Sequence, residues 1–360
     1  MPGKPNDFPG GPYIWLHGAS LGEVNALRPL ARLFAGVVPV VFTSGTPAGI
    51  RAAGEFLAFR FWDNPEFVQR GLSSARALVI AESELWPNLL ITAKRKGVPA
   101  FLVNARVNRG TRRWLAARRL LSEMLSAFSE IYPKDEREAE KIVRLGAPRE
   151  RVVYLGGLKF DGLADRDTSR REDFGFSEGI PLIVFGSVRS GEFGQVVEAT
   201  AALDGFQVAI APRHRNRLGR LIREMRKRRL SFRLRTDSGE GRILVLDTVG
   251  ELRALYSVSD LVFVGGTLAP YGGHNILEPA ALGLPVIIGP HYENQVSEAE
   301  GLLSAGGGLL VHGPAELSAA ARTLLTDERA RREMGRRARE FIEANRGASA
   351  RIHRRILELI

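Results

Sequence analysis

The chain has 360 residues, 44% of them hydrophobic and 25% charged, with a formal net charge of +11 and no cysteine. That length accommodates two domains with separate cores, and the composition is ordinary for a globular protein. The lack of cysteine excludes disulfides and thiolate metal sites and fits a reducing compartment. No run approaches the ~18 apolar residues of a membrane span, and the first seven residues hold no apolar signal-peptide core. The expectation is a soluble chain, or one that sits on a membrane without crossing it.

Apolar runs of strand length alternate with amphipathic stretches along the whole chain. In the first half the predicted strands are Tyr13–Leu16, Val38–Phe42, Ala77–Ile80, Ala100–Val103 and Ile131–Tyr132. Helices are expected to begin near Gly22, Thr46, Trp86, Thr111 and Lys134, with Pro47 well suited to a first helical turn. Residues 158–180 are rich in Gly, Asp and Arg and read as a connection between an N-terminal domain, 1–157, and a C-terminal domain, 181–345. In the second half the predicted strands are Leu182–Phe185, Gln207–Ala211, Ile243–Leu246, Leu261–Val264 and Val286–Ile288. Helices near Gln195, Asn216, Gly250, Ile276 and Gln295 separate them, and an Arg- and Ala-rich helical region runs on from Pro314. The last stretch, 346–360, is expected to be a helix packing back on the N-terminal domain. This alternation predicts an α/β fold with two doubly wound, Rossmann-like domains facing each other across a cleft. Ligands then belong at the carboxyl ends of the strands. Neither the dinucleotide fingerprint nor the P-loop is present, which removes the strongest support for hydride transfer or nucleotide hydrolysis.

Two stretches concentrate the positive charge. Lys94 to Arg119 holds nine Lys or Arg and no acid, and Arg215 to Arg235 holds ten opposed only by Glu224. Such patches suit nucleic acid, anionic lipid or phosphorylated substrates, while a solvated face is the plainer account of either one. Nucleic acid is disfavoured because no binding module appears and few aromatics interleave with the cations.

The most informative segment is Gly265-Gly266-Thr267-Leu268-Ala269-Pro270-Tyr271-Gly272-Gly273-His274-Asn275-Ile276-Leu277-Glu278-Pro279. A buried strand, a glycine-rich turn and a helix start make a site for an anion. Gly272 and Gly273 allow close approach of a phosphate to the backbone. Glu278 is positioned to accept hydrogen bonds from a sugar diol. Asn275 to Glu278 fits a capping box equally well, and both readings of Glu278 stand.

The N-terminal half has its own constellations. His17-Gly18-Ala19-Ser20-Leu21-Gly22-Glu23 ends the first strand, with Glu23 a candidate general base beside small residues that leave room for a substrate. Ser20 to Glu23 is again a capping-box pattern. Ala81-Glu82-Ser83-Glu84-Leu85-Trp86-Pro87-Asn88 carries a second acidic pair, in which Glu84 is the first candidate for a functional role and Glu82 the second. In the C-terminal half, Gly186-Ser187-Val188-Arg189-Ser190-Gly191-Glu192 is another strand-to-helix turn. Pro212-Arg213-His214 follows the next strand, where the planar fork of Arg213 suits a phosphate.

Together, and in this order along nearly the whole chain, these motifs resemble those of the 3-deoxy-D-manno-octulosonic acid (Kdo) transferases of lipopolysaccharide assembly. Val103-Asn104-Ala105-Arg106 is similar to that family's V-N-A-R segment, and Gly156-Gly157-Leu158-Lys159-Phe160-Asp161 to its G-N-L-K-F-D. The resemblance implies a GT-B fold and an inverting, metal-independent transfer without a cofactor. It implies cytidine monophosphate–Kdo (CMP-Kdo) as donor and a lipid A precursor as acceptor, at the cytoplasmic face of the bacterial inner membrane. By matching position Glu23 is the base, with Glu84 beside it in the catalytic set. Arg213, His214, Ser187, Gly272, Gly273, His274 and Asn275 would hold the donor, Glu278 its ribose, and Lys159 would also approach it. Ser20, Gly22, Asn104 and Arg106 would meet the acceptor. Two departures bear on the donor: Gly157 stands where the family has Asn, and Arg189-Ser190 where it commonly has His-Glu. The apolar anchor with which many members begin is not seen, so attachment to anionic lipid is expected to rest on surfaces such as Lys94–Arg119, or an anchoring segment has been trimmed from the sequence. Two other readings remain: a UDP-sugar transferase or hydrolysing sugar-nucleotide epimerase on the same fold, or a non-enzymatic binder of anionic lipid or nucleic acid.

Overall fold

A computed structural model describes residues 8–108, 111, 114–163, 166–237 and 241–360. The N-terminal segment 1–7, and Arg109, Arg112 and Arg113 of the first basic run, lie outside the described residues.

The chain divides into two compact units, 1–162 with 345–360, and 163–344. The first contains a six-stranded sheet in the order β3-β2-β1-β4-β5-β6. Its strands are β1 (Tyr13–His17), β2 (Val40–Ser44), β3 (Leu57–Arg60), β4 (Ala75–Ala81), β5 (Ala100–Ala105) and β6 (Glu130–Pro133), and every pairing is parallel. Why continuous apolar runs form these strands is visible in their side chains, which alternate between two cores. Tyr13, Trp15, Leu78, Ile80 and Leu102 face one side, with Leu89 and Leu90 of the helix Pro87–Lys96. Ile14, Leu16, Val79, Phe101 and Val103 face the other, against Val24, Leu27 and Phe34 of the helix Leu21–Ala35.

That second core is completed from the far end of the chain. Ala348, Ile352 and Ile356 of the helix Ala348–Glu358 enter it. Arg355 binds the buried Glu130 carboxylate, and Asp161 accepts the N–H groups of Gly347 at 2.6 Å and Ser349 at 2.5 Å.

The second unit has seven strands in the order β13-β12-β11-β7-β8-β10-β9, again all parallel. They are β7 (Leu182–Val188), β8 (Gln207–Pro212), β9 (Phe232–Leu234), β10 (Ile243–Val245), β11 (Leu261–Val264), β12 (Val286–Ile288) and β13 (Gly308–Leu310). Both sheets have a topological switch point, between β1 and β4 and between β7 and β11, where connections leave in opposite directions and open a crevice at the carboxyl ends.

Several expectations shift. The stretch 158–180 is not a separate connection: Leu158 is in the second core of the first unit, whereas Arg166 and Arg171 bind carbonyls of the second unit. The final Arg-rich region is three helices, Pro314–Thr326, Glu328–Asn345 and Ala348–Glu358. Strands β3, β9 and β13 and the helix Pro65–Gly71 were not among the predicted elements.

Candidate active site

At the carboxyl edge of the first sheet, the turn after β1 delivers Glu23 in the first turn of the helix Leu21–Ala35. Ser20 is the N-cap, its Oγ accepting from the Glu23 N–H at 3.4 Å. The Glu23 carboxylate does not reach back to the Ser20 backbone as a capping box would. It accepts from the Ala19 N–H at 2.6 Å and from the Ser20 hydroxyl at 2.9 Å, one bond on each oxygen. A carboxylate oxygen has two acceptor positions, so each keeps one for a further proton donor. Gly18 is glycine for packing, since a Cβ there would meet the Val24 nitrogen at 3.0 Å, whereas Gly22 is exposed with no close neighbour.

The turn after β4 brings the second acidic pair to the same edge. Glu82 is buried with a positive φ of 59°, a conformation costly for a residue with a side chain and tolerated where surroundings enforce it. Its backbone N–H donates to the Val103 carbonyl at 2.9 Å, and its carbonyl accepts from Arg106 at 3.2 Å. Its carboxylate forms an ion pair with the Arg106 guanidinium and accepts from Asn104 Nδ2 at 3.4 Å. Asn104 itself lies where β5 breaks register with β6, at φ 51°, and its buried Oδ1 has no partner among the described residues. Asn104 and Arg106 therefore turn toward Glu82, which the acceptor expectation did not include.

The remaining charges are set by burial. Glu23 is raised above the ordinary carboxyl range, first by burial and then by the Glu82 charge, while Ser20, Ala19 and Arg106 oppose the shift. Glu84 is raised to about 7, by burial first and the Glu23 charge second. His17 is driven down to about 3 by burial and is neutral. Trp86 Nε1 donates to its Nε2 at 3.1 Å, so the ring proton sits on Nδ1, 2.9 Å from Thr43 Oγ1. This His fixes the walls of the turn and is not a proton carrier near neutral pH.

At the carboxyl edge of the second sheet the polarity is reversed. Ser187 sits at φ 56° where the β7–β8 register breaks, and β7 leads into Arg189. Arg213 and His214 follow β8, both exposed, with the Arg213 N–H donating to the Val188 carbonyl at 2.9 Å. Arg189 Nη1 lies 2.7 Å from His214 Nε2, and its guanidinium stacks on the Tyr271 ring at 4.5 Å. His274 is lowered to about 4, by burial first and then by the charges of Arg213, Arg189 and His214. Its buried Nε2 has no partner among the described residues.

The glycine-rich loop is shaped mainly by its own chain. Gly266, Gly272 and Gly273 adopt φ of 74°, 81° and 81°, which favours glycine. A Cβ on Gly272 would strike Asn294, and one on Gly273 would meet Gln295 Nε2 at 2.8 Å. The helix Leu277–Ala281 that follows is only five residues long, so its dipole is small, and the N–H groups of Gly273 and His274 donate within the loop, to the Gly266 carbonyl at 2.8 Å and the Gly265 carbonyl at 3.3 Å. Asn275 Oδ1 accepts from the Leu277 N–H at 3.1 Å, and its Nδ2 donates to Glu278 Oε1 at 2.9 Å. This is not a capping box, because Glu278 binds a side chain and not the Asn275 N–H. Burial raises Glu278, opposed by Asn275, Arg253 and Arg213.

One group here stands outside the candidate set drawn from sequence. Glu192 is fully buried, and its carboxylate accepts the N–H groups of Arg189 at 2.7 Å, Leu268 at 3.1 Å and Gly266. It ties the turn after β7 to the loop after β11. Its signal was an acid directly before the helix Phe193–Ala201, which looks like an ordinary helix start. Lys159 lies in the short turn Leu158–Phe160 of the first unit, so it belongs to the other domain from the remaining donor candidates.

Residues 3–162 match a family model described as 3-deoxy-D-manno-octulosonic-acid transferase. The 3-deoxy-D-manno-octulosonic acid transferase of Bordetella pertussis is 31% identical over 94% of this chain and 85% of its own length. That of Haemophilus influenzae is 29% identical over 94% of this chain and 85% of its own. Among solved structures, Anabaena HepE in complex with UDP superposes with a TM-score of 0.68 at 14% identity, over 97% of this chain and 99% of that one. UDP-GlcNAc 2-epimerase from Neisseria meningitidis bound to UDP-GlcNAc gives 0.66 at 14% identity, over 96% and 100%. These structural likenesses establish a GT-B-type fold of two Rossmann-like domains. With relatives at this identity along nearly its whole length, the chain belongs to the Kdo transferase family of glycosyltransferases.

Proposed function

We propose that this chain transfers Kdo from CMP-Kdo to a hydroxyl of a lipid A precursor, with inversion and without a metal, at the cytoplasmic face of the inner membrane. The observation that carries the reading is the opposite polarity of the two switch points, joined to the family membership. One edge offers carboxylates that can take a proton, and the other offers cations and loop N–H groups suited to a nucleotide phosphate.

The chemistry divides accordingly. The acceptor oxygen attacks the anomeric carbon of Kdo from the side away from the nucleotide, the bond to the phosphate oxygen breaks, and cytidine monophosphate leaves with the electron pair. Glu23 takes the hydroxyl proton through its remaining acceptor positions. Burial and then the Glu23 charge raise Glu84, and neighbouring half-buried carboxylates do not both ionise easily. Glu84, the group raised to about 7, holds the proton and so lets Glu23 stay ionised. Arg213 and the loop ending at Asn275 stabilise the charge growing on the leaving phosphate. Glu278, with one oxygen bonded to Asn275, accepts from the ribose hydroxyls. Exposed Lys94, Arg95, Lys96, Arg118 and Arg119 belong to the same unit as Glu23 and suit anionic head groups. Among the described residues no helix is long and apolar enough to cross a membrane.

The test is incubation with CMP-Kdo and a tetraacylated lipid A precursor, read by mass spectrometry of the lipid. Lipid gaining Kdo units is the expected result. An unchanged lipid, with saturable binding of cytidine nucleotides intact, would overturn the acceptor. Preference for uridine over cytidine nucleotides would overturn the donor.

A further inference from the structure

Arg189 occupies a position for which the donor reading gave no role. Its side chain is built into the second switch point and is not a loose surface cation. Its backbone N–H is fixed by the buried Glu192 carboxylate at 2.7 Å. Its guanidinium carbon lies over the Tyr271 ring, 4.5 Å from the centroid, and Nη1 donates to His214 Nε2 at 2.7 Å. The stack depends on Gly191, and Gly266 makes room for His274 beside it. A Cβ on Gly191 would meet the Tyr271 hydroxyl at 2.6 Å, and one on Gly266 would meet His274 at 3.0 Å and the Arg189 Cγ at 3.6 Å.

A planar cation held on one face by an aromatic ring and at one edge by a histidine presents its other edge in a set direction. The guanidinium forms no ion pair and no further hydrogen bond with a described residue. Yet its charge is felt at His274, together with that of Arg213. Two arginines with no carboxylate ion pair among the described residues thus act on His274 of the glycine loop. A ligand carrying two anions offers each cation a partner.

The donor in the reading above carries two. One is the phosphodiester. The other is the sugar's own carboxylate, attached to the anomeric carbon that reacts and ionised at neutral pH. We propose that Arg189 is the residue that binds the carboxylate of the transferred sugar acid, while Arg213 serves the phosphate. The assignment rests on the CMP-Kdo reading and adds a specificity element to it. A planar two-pronged donor matches a carboxylate, and a neutral sugar in its place would leave the guanidinium without a partner. Tyr271, Gly191 and His214 are the positioning residues for it.

The test compares a ligand that has the carboxylate with one that lacks it. Calorimetry gives the Kd for CMP, and initial rates give the KM for CMP-Kdo, for wild type, Arg189→Ala and Arg189→Lys. Matched circular dichroism spectra and thermal midpoints establish that the variants are folded. Loss of a charge-assisted contact is expected to raise the KM for CMP-Kdo roughly ten-fold or more in Arg189→Ala. The Kd for CMP should stay within about two-fold, and Lys should recover part of the KM loss. Tyr271→Ala, which leaves the charge but removes its platform, should raise the same KM by a smaller factor. A parallel loss of CMP affinity would assign Arg189 to the phosphate and overturn the proposal. An unchanged KM would overturn it as well. Wild-type protein that binds neither CMP nor CMP-Kdo would overturn the donor reading itself, and this assignment with it.

Discussion

In the first unit the switch point between β1 and β4 gathers Glu23, Glu82 and Glu84 with Arg106. In the second the switch point between β7 and β11 gathers Arg189, Arg213, His214 and His274, with Glu192 buried beneath them. The two sheets share one construction, an apolar parallel core whose strands end in small-residue turns. The backbone devices recur too: Glu82, Asn104 and Ser187 all take positive φ at strand ends. Only the side chains set on that edge differ. The comparison teaches that one fold can supply the same place twice while the side chains set the sign of the local charge, which in the proposed reading divides proton removal from anion binding.

Substitutions on either edge should break this division in different ways. The largest effect is expected for Glu23→Gln, which keeps the shape and the Ala19 contact but not the basicity. Turnover should fall on the order of a thousand-fold in a coupled assay of lipid product. Next is Glu278→Ala, which removes the candidate ribose acceptor. CMP affinity measured by calorimetry should weaken about ten-fold or more.

Glu84 gives a smaller effect with a defined sign. Its folded-state pKa of about 7 exceeds the ordinary 4.5, so between these values the native state binds more protons than the unfolded state. Stability contributed by the protonated group is full below about pH 4.5 and is lost as pH rises through about 7. Glu84→Gln removes this dependence. It should therefore melt at the same temperature as wild type near pH 4.5 and at a higher one near pH 8, as read by differential scanning calorimetry. A wild type that gains stability relative to the variant as pH rises would reverse the account of this site. The smallest change is expected for Ser20→Ala, which removes the N-cap and one Glu23 hydrogen bond at a cost of about 1 kcal/mol in denaturant unfolding.

Much of this was legible in the sequence, and the exceptions have physical causes. The central strands were readable because both of their faces are buried, which writes them as unbroken apolar runs. The edge strand β3 and the three-residue β9 are only half-covered, and β9 lies inside an arginine-rich run, so neither carries that signature. The domain limits depended on contacts distant in sequence, such as Asp161 with Gly347, which no local pattern encodes. The site followed the same rule. Glu23 and Glu278 announce themselves as polar residues in glycine-containing turns after apolar strands, and Arg213 as a cation directly after one. The pairing of Arg106 with Glu82 and the clamp formed by Glu192 come from strands brought side by side, and their letters alone look like surface charge and a helix start.

The division of labour between the two edges is tested most directly by giving Glu23→Gln and Glu278→Ala both measurements, CMP affinity by calorimetry and turnover at saturating CMP-Kdo. The expected result is that Glu23→Gln binds CMP within about two-fold of wild type yet turns over on the order of a thousand-fold more slowly, whereas Glu278→Ala binds CMP weakly but regains most of its turnover at saturation. Ordinary turnover by Glu23→Gln would contradict the account and leave Glu23 as part of a helix cap.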